Sequence, residues 1–218
     1  MHKLNLSADE VLTTTRAVRK RLDLDRPLDM SDIRQCLEIA LQGPSGSNGQ
    51  GWHFVLVTER DTIAKIASYY QQAFAVYEAG PYQPTLQHAD DPSMQQTQQR
   101  VLSSARYLAD NLAKVPALLI PCCNGRADAP ELPLAGMASM FGSILPAVWS
   151  FMLAARERGI GTCWTTLHLQ YEQEIASLLG IPADKTQVAM IPMAYTLGTD
   201  FKPAPRKSLD GVLHIDNW

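Results

Sequence analysis

From Ala135 to Arg158 the chain runs for 24 residues with mostly apolar side chains. A helix that is hydrophobic nearly all round belongs in a large core or in a membrane. Gly142, Pro146, Trp149, Ser150 and Arg156 fall inside this stretch, which makes it a poor bilayer span and predicts a buried core helix. Apolar runs at 53–58, 117–123 and 188–197 read as strands, the middle one bounded by Pro116 and by Asn124-Gly125. Ser7-Ala8-Asp9-Glu10 matches a capping box and predicts a helix from Ser7 to Thr14 or Thr15. A second helix opens at Asp29 or Ser31, and its stripe of Ile33, Cys36, Leu37, Ala40 and Leu41 is stopped by Gly43-Pro44. Further helices are expected over 61–75, 100–113 and 171–179. Helices and strands thus alternate along 218 residues, as in a single domain of mixed α and β class.

A formal charge of −3 argues against a general nucleic-acid binder. The opening Met-His-Lys-Leu-Asn-Leu-Ser lacks the apolar core of a signal peptide. Cys36, Cys122, Cys123 and Cys163 sit in apolar patterns with no C-x-x-C pair, which suits reduced, buried thiols of a cytoplasmic protein. Cys122 and Cys123, adjacent on a strand, should face opposite sides of a sheet. The five histidines show no metal-ligand spacing, and the Walker, H-E-x-x-H and G-x-S-x-G patterns are missing. Residues 80–99 are polar, with three prolines and several glutamines, and read as a surface excursion or lid. Tyr77 and Tyr82 would be its stacking groups. Residues 198–218 read as an extended, Pro-rich basic arm ending in the apolar run Val212-Leu213-His214-Ile215.

Four segments carry candidate chemistry. Gly43 to Trp52 joins a helix to a strand through Gly, Ser and Asn. Small residues there allow close backbone approach, and the polar side chains both donate and accept. Arg16-Ala17-Val18-Arg19-Lys20-Arg21 and Lys202-Pro203-Ala204-Pro205-Arg206-Lys207 are basic clusters near opposite ends of the chain. Guanidinium forks match phosphate bidentately, so anion capture is the functional reading, although such runs are commonly just solvated. Arg158-Gly159-Ile160-Gly161-Thr162 follows a helix and lacks the full dinucleotide-binding glycine pattern.

Taken together and in order, Arg16-Ala17-Val18-Arg19, the loop from Pro44 to Trp52, Gly159-Ile160-Gly161-Thr162 and the tail up to Arg206 resemble the nitroreductase family of FMN-dependent oxidoreductases. The resemblance implies a three-layer α/β/α sandwich with a mixed central sheet and an intertwined homodimer with FMN at its interface. It implies that Arg16, Ala17 and Arg19 meet the FMN phosphate, ribityl chain and ring edge, and that Arg206 with Lys207 closes on the phosphate. Pro44, Ser45, Gly46 and Asn48 would come from the partner subunit, and Trp164, Thr165, Thr166 and Leu167 would line the ring. Arg16 or Arg19 would be the cation beside the pyrimidine side of the flavin. The sequence departs from the family pattern at Thr15, Ala17, Gly51 and Ser150. The implied reaction is ping-pong transfer of hydride from NAD(P)H through flavin N5 to a small-molecule electron acceptor such as a nitroaromatic or quinone. No side-chain acid or base is assigned to it. Flavin cleavage, dehalogenation and non-enzymatic FMN storage are the alternatives within the resemblance; an α/β interaction domain is the alternative outside it.

Overall fold

The structure is a computed structural model that describes residues 3–87 and 90–218. Helix α1 (Ala8–Thr14) starts at the predicted cap. The Ser7 side chain accepts from the Glu10 N–H, and the Glu10 carboxylate accepts from the Ser7 N–H at 2.8 Å. Helix α2 (Met30–Ala40) starts at Asp29, whose carboxylate accepts from the Ser31 N–H at 2.8 Å. Of the stripe read from the sequence it buries Ile33, Cys36 and Ala40; Leu37 is half-buried and Leu41, at the C-cap, is exposed. A short 3₁₀ turn (Gly46–Asn48) leads into β1 (Trp52–Val57), and α3 (Arg60–Ala79) follows.

Helix α4 (Pro92–Asn111) begins well before the predicted start at residue 100, so much of the polar stretch at 80–99 is helical. Pro92 suits this position because a first-turn proline has no N–H to leave unpaired. The low apolar content misled the reading: these first turns bury little, and the helix is held by its later residues Leu108 and Ala109. Residues 88 and 89 lie outside the described residues. Tyr77 also departs from the expectation. It packs against Phe74 at a ring distance of 6.0 Å and joins the core, whereas Tyr82 is exposed.

Strand β2 (Ala117–Asn124) is followed by the long α5 (Leu134–Glu157), β3 (Ile160–Thr162), α6 (Glu172–Leu179), β4 (Lys185–Gln187) and β5 (Ile191–Tyr195). By length and composition α5 could cross a bilayer. Here it packs through Ile144, Ala147, Val148, Phe151, Met152 and Ala155 into the core. The sheet runs β1-β2-β5-β3, with β4 also pairing to β2, and every ladder is antiparallel. The sheet is mixed through one parallel bridge, Ala17 to Thr162.

Of the strand expected over 188–197 only Ile191–Tyr195 forms, as β5; β4 precedes the expected range, and residues 188–190 separate the two. Gln187 pairs with Cys122 and Ile191 with Leu119, so Val188, Ala189 and Met190 stand opposite only Ile120 and Pro121. One extra residue makes a bulge. Its cause is Pro121, whose carbonyl accepts from the Val188 N–H at 3.0 Å but which has no N–H to return. Met190 turns away and pairs with Thr165.

Alternation along β2 divides the core into two layers. Leu118, Ile120 and Cys122 pack with α3 and α4, while Ala117, Leu119 and Cys123 pack with α2 and α5. Helices on both faces of one sheet give the α/β/α sandwich. The two adjacent cysteines face opposite layers, and all four thiols are free and buried. Burial pushes the thiols of Cys36 and Cys123 up to about 11 and that of Cys122 to about 12.

Candidate functional site

The fold brings the two basic clusters together by strapping the tail onto the segment after α1. The Arg21 Nε donates to the Leu197 carbonyl at 2.9 Å, its Nη2 pairs with Asp200 at 2.6 Å, and its guanidinium stacks on Phe201 at 4.2 Å. Arg156, buried at the end of α5, packs 5.0 Å from the same ring and donates to Thr14 and to the Thr199 carbonyl. Arg16 Nη1 donates to the Lys202 carbonyl at 2.9 Å. The Val18 N–H donates to the Thr162 carbonyl at 2.8 Å, which fixes the basic segment beside β3.

These links build an open cleft of about 1040 Å³. Arg16, Ala17, Arg19 and Lys20 form one side, Arg206 with Ala204 and Pro205 another, and Trp149, Met152 and Trp164 an apolar part. Gln96, Thr97, Arg100, Ser103 and Ser104 of α4 supply the remaining wall. Arg19 donates to the Ser104 hydroxyl at 3.2 Å and Lys20 to the Ser103 hydroxyl at 2.8 Å, tying α4 to the basic segment. Among the described residues, five cations and no carboxylate line the cleft. Among the described residues, Arg16, Arg19, Arg100 and Arg206 have no carboxylate partner.

The sequence-predicted residues divide into groups. Arg16, Ala17, Arg19, Trp164 and Arg206 share this cleft. Ser45 and Gly46 line a second cleft of about 260 Å³ with Asn124, Ser139 and Ser143. Pro44 and Asn48 flank that loop. The Gly46 N–H donates to the Ser143 hydroxyl of α5 at 3.0 Å, and the Gln50 N–H donates to the Ser45 hydroxyl at 3.1 Å. Ser47, Asn48 and Gln50 hold φ of 50°, 53° and 46°, left-handed values that side chains rarely adopt and that collect at binding loops. Ser143 and Trp149 are six residues apart on α5, about 9 Å along its axis. In one chain, therefore, the loop and the basic cleft are neighbours on α5 that do not merge.

Thr165, Thr166 and Leu167 lie outside the basic cleft. Thr165 is buried and shares a 3.1 Å hydrogen bond with the Tyr70 hydroxyl, whose pKa burial raises to about 12. Thr166 is exposed, and Leu167 packs on the core layer under α3 and α4. Lys207 is exposed at the surface. Sequence reasoning missed the α4 wall. Its signal is a polar stripe at Gln96, Arg100, Ser103 and Ser104, spaced as one helical face. A stripe of that kind ordinarily marks a solvated face.

Residues 12–195 match the sequence model described as Nitroreductase family. A Methanothermobacter thermautotrophicus protein, whose name pairs NADH dehydrogenase with NAD(P)H nitroreductase, is 26% identical over 212 residues, covering 96% of this chain and 86% of that protein. The 4-nitrobenzoate reductase of a Nocardioides strain is 25% identical over 209 residues, covering 86% of this chain and 79% of that protein. Among solved structures, the FMN and NADPH-dependent nitroreductase NfnB of sphigopyxis sp. strain HMH superposes with a TM-score of 0.71 at 21% identity, covering 98% of this chain and 100% of that one.

Proposed function

The chain belongs to the nitroreductase family, and on that premise we propose that it is an FMN-dependent oxidoreductase carrying electrons from NAD(P)H to a small electrophilic acceptor. One observation carries the reading. Arg16 and Arg206, 190 positions apart in sequence, meet in one acid-free cleft with Trp164. The residues present fit the cofactor. Guanidinium forks with no carboxylate partner among the described residues suit a phosphomonoester, which carries nearly two negative charges. The cleft is at the upper end of the range for ligand sites, with room for a cofactor and a second flat molecule.

When bound, FMN supplies the two-electron chemistry. This chain's residues do the rest. Arg16 and Arg206 hold the phosphate end, and the bond from Arg16 to the Lys202 carbonyl keeps the tail in reach. Arg19 is a fixed cation for the electron-rich edge of the ring; its bond to Ser104 sets its position, and it also sits near Tyr77 and Cys163. Trp149 and Trp164 present flat apolar surface, and α4 supplies a polar wall beside it. Acceptor and nicotinamide take turns in one place, so kinetics are ping-pong.

The site is completed by a second copy. Leu134 and Trp149 leave apolar surface on the outer side of α5, at 82% and 39% exposure. The loop from Pro44 to Asn48 borders that same helix. Packing two α5 faces together brings one protomer's loop toward the other's basic cleft, where Ser45, Gly46 and Asn48 meet the flavin edge. The tail supports the same assembly, because Leu209, Val212, Leu213, Ile215 and Trp218 are all exposed in the single chain.

The visible absorption spectrum of the purified protein tests the reading. A flavin spectrum that bleaches on anaerobic addition of NADH or NADPH is the expected result. A protein that stays colourless after incubation with FMN and gel filtration would overturn it. Arg16→Ala should retain the fold and bind FMN at least tenfold more weakly, by the loss of one charge-assisted contact.

A further inference from the structure

The cationic wall of the cleft exceeds what one phosphate needs. Arg16 and Arg206 lie at the tail side, and Arg19 and Lys20 are engaged by the serines of α4. Arg100 stands apart. It is exposed toward the cleft and has no hydrogen-bond or carboxylate partner among the described residues. It lies three and four positions before Ser103 and Ser104, so it shares their helix face about one turn away. Gln96, four positions before it, continues the face and adds amide donors. The single acid of α4 is Asp110, ten residues on and about 15 Å along the axis. Arg106, the other arginine of α4, is spent on Glu78.

A lone cation over a cleft with two tryptophans recognises a flat ring that carries an anion. We propose that Arg100 selects the acceptor: it binds the carboxylate of an acidic arene, with Gln96 donating to the second oxygen and Trp149 or Trp164 against the ring. This deepens the flavin-dependent reading and rests on it. The guanidinium fork fits a carboxylate in two parallel hydrogen bonds, and an uncharged acceptor forgoes them. The chain carries a net charge of −3, so the cleft is a local positive field on an acidic protein and draws such acceptors in.

The test compares 4-nitrobenzoate with 4-nitrobenzamide, which have the same ring and nitro group and differ in charge. Steady-state turnover and quenching of tryptophan fluorescence are both measured on the wild type, Arg100→Gln and Arg106→Gln. Gln is a good helix former, so neither exposed substitution threatens α4. In the wild type, kcat/KM should favour the carboxylate by about tenfold. Arg100→Gln should bring the ratio near one through KM, with the fluorescence Kd for 4-nitrobenzoate rising by the same factor. Arg106→Gln, with the same change in net charge, should leave the ratio as it was. An unchanged ratio in Arg100→Gln overturns the proposal. So does loss of bound FMN in that variant, which would assign Arg100 to the cofactor phosphate. A raised KM for NADPH but not NADH would give the anion to the nucleotide's 2′-phosphate and also overturn it. A wild type without flavin refutes the FMN reading, while the fluorescence titration still decides whether Arg100 captures the carboxylate.

Discussion

A β-carbon on Gly161 would stand 2.7 Å from Thr196 Cγ2, 2.9 Å from Val18 Cγ1 and 3.0 Å from Leu22 Cδ2. All three contacts come from the strap that joins the basic segment to the sheet, so there is little slack. Gly161→Ala should destabilise the protein by about 1–3 kcal/mol through overpacking. Urea unfolding would show it as a lower midpoint at unchanged slope. It should also weaken FMN binding, because Val18 lies between Arg16 and Arg19. His168 gives a second prediction at this scale. It is fully buried, neither ring nitrogen has a partner among the described residues, and burial lowers its pKa to about 4. The unfolded chain titrates near 6.5, so between pH 6.5 and 4 the unfolded state binds the extra proton. Stability is complete above pH 6.5 and falls as the pH drops toward 4, by about 3 kcal/mol for this group. His168→Leu should flatten that loss in urea midpoints taken at pH 7 and pH 4.5; an equal loss in both proteins would remove His168 as its source.

Among the elements, α1 depends most on its ends. It has only seven residues, and its capping box and the bond from Arg156 to Thr14 hold it. Ser7→Ala should cost about 1 kcal/mol, readable as earlier thermal unfolding. The box was legible because it is a local pattern of side chain and backbone. The α2 stripe was legible for the same reason, and its N-cap Asp29 was one of two expected starts. The start of α4 and the break between β4 and β5 were not legible. The first turns of α4 carry glutamines and serine where a stripe was sought, and Arg19 and Lys20 hold the helix through Ser103 and Ser104 from far along the chain. The bulge at Val188–Met190 arises from Pro121 on a different strand, which no window around residue 188 contains.

For the whole molecule, the assembly proposed above makes FMN binding and association one equilibrium. Sedimentation velocity should show a dimer. Leu134→Glu, which puts a charge on the exposed start of α5 and away from the cleft lining, should shift it to monomer and lower the flavin content together. A monomeric wild type that retains full flavin would defeat the two-chain site. The long apolar stretch, the alternation of elements and the two basic clusters pointed, from residue order alone, to a buried helix, a domain of mixed α and β class and a candidate anion site; the α/β/α layering came from the family resemblance. The first three follow from local periodicity and charge, which a sequence displays directly. The resemblance implied that Arg16 and Arg206 share one phosphate, but tertiary structure alone supplies the links that seat Arg16 beside the tail and turn Thr165 inward to Tyr70. Tertiary structure also set the α4 wall, placing Arg100 in the cleft that Trp164 lines. The reason is physical: each depends on contacts between segments from about 80 to nearly 200 residues apart, and only the packed chain brings them within bonding range.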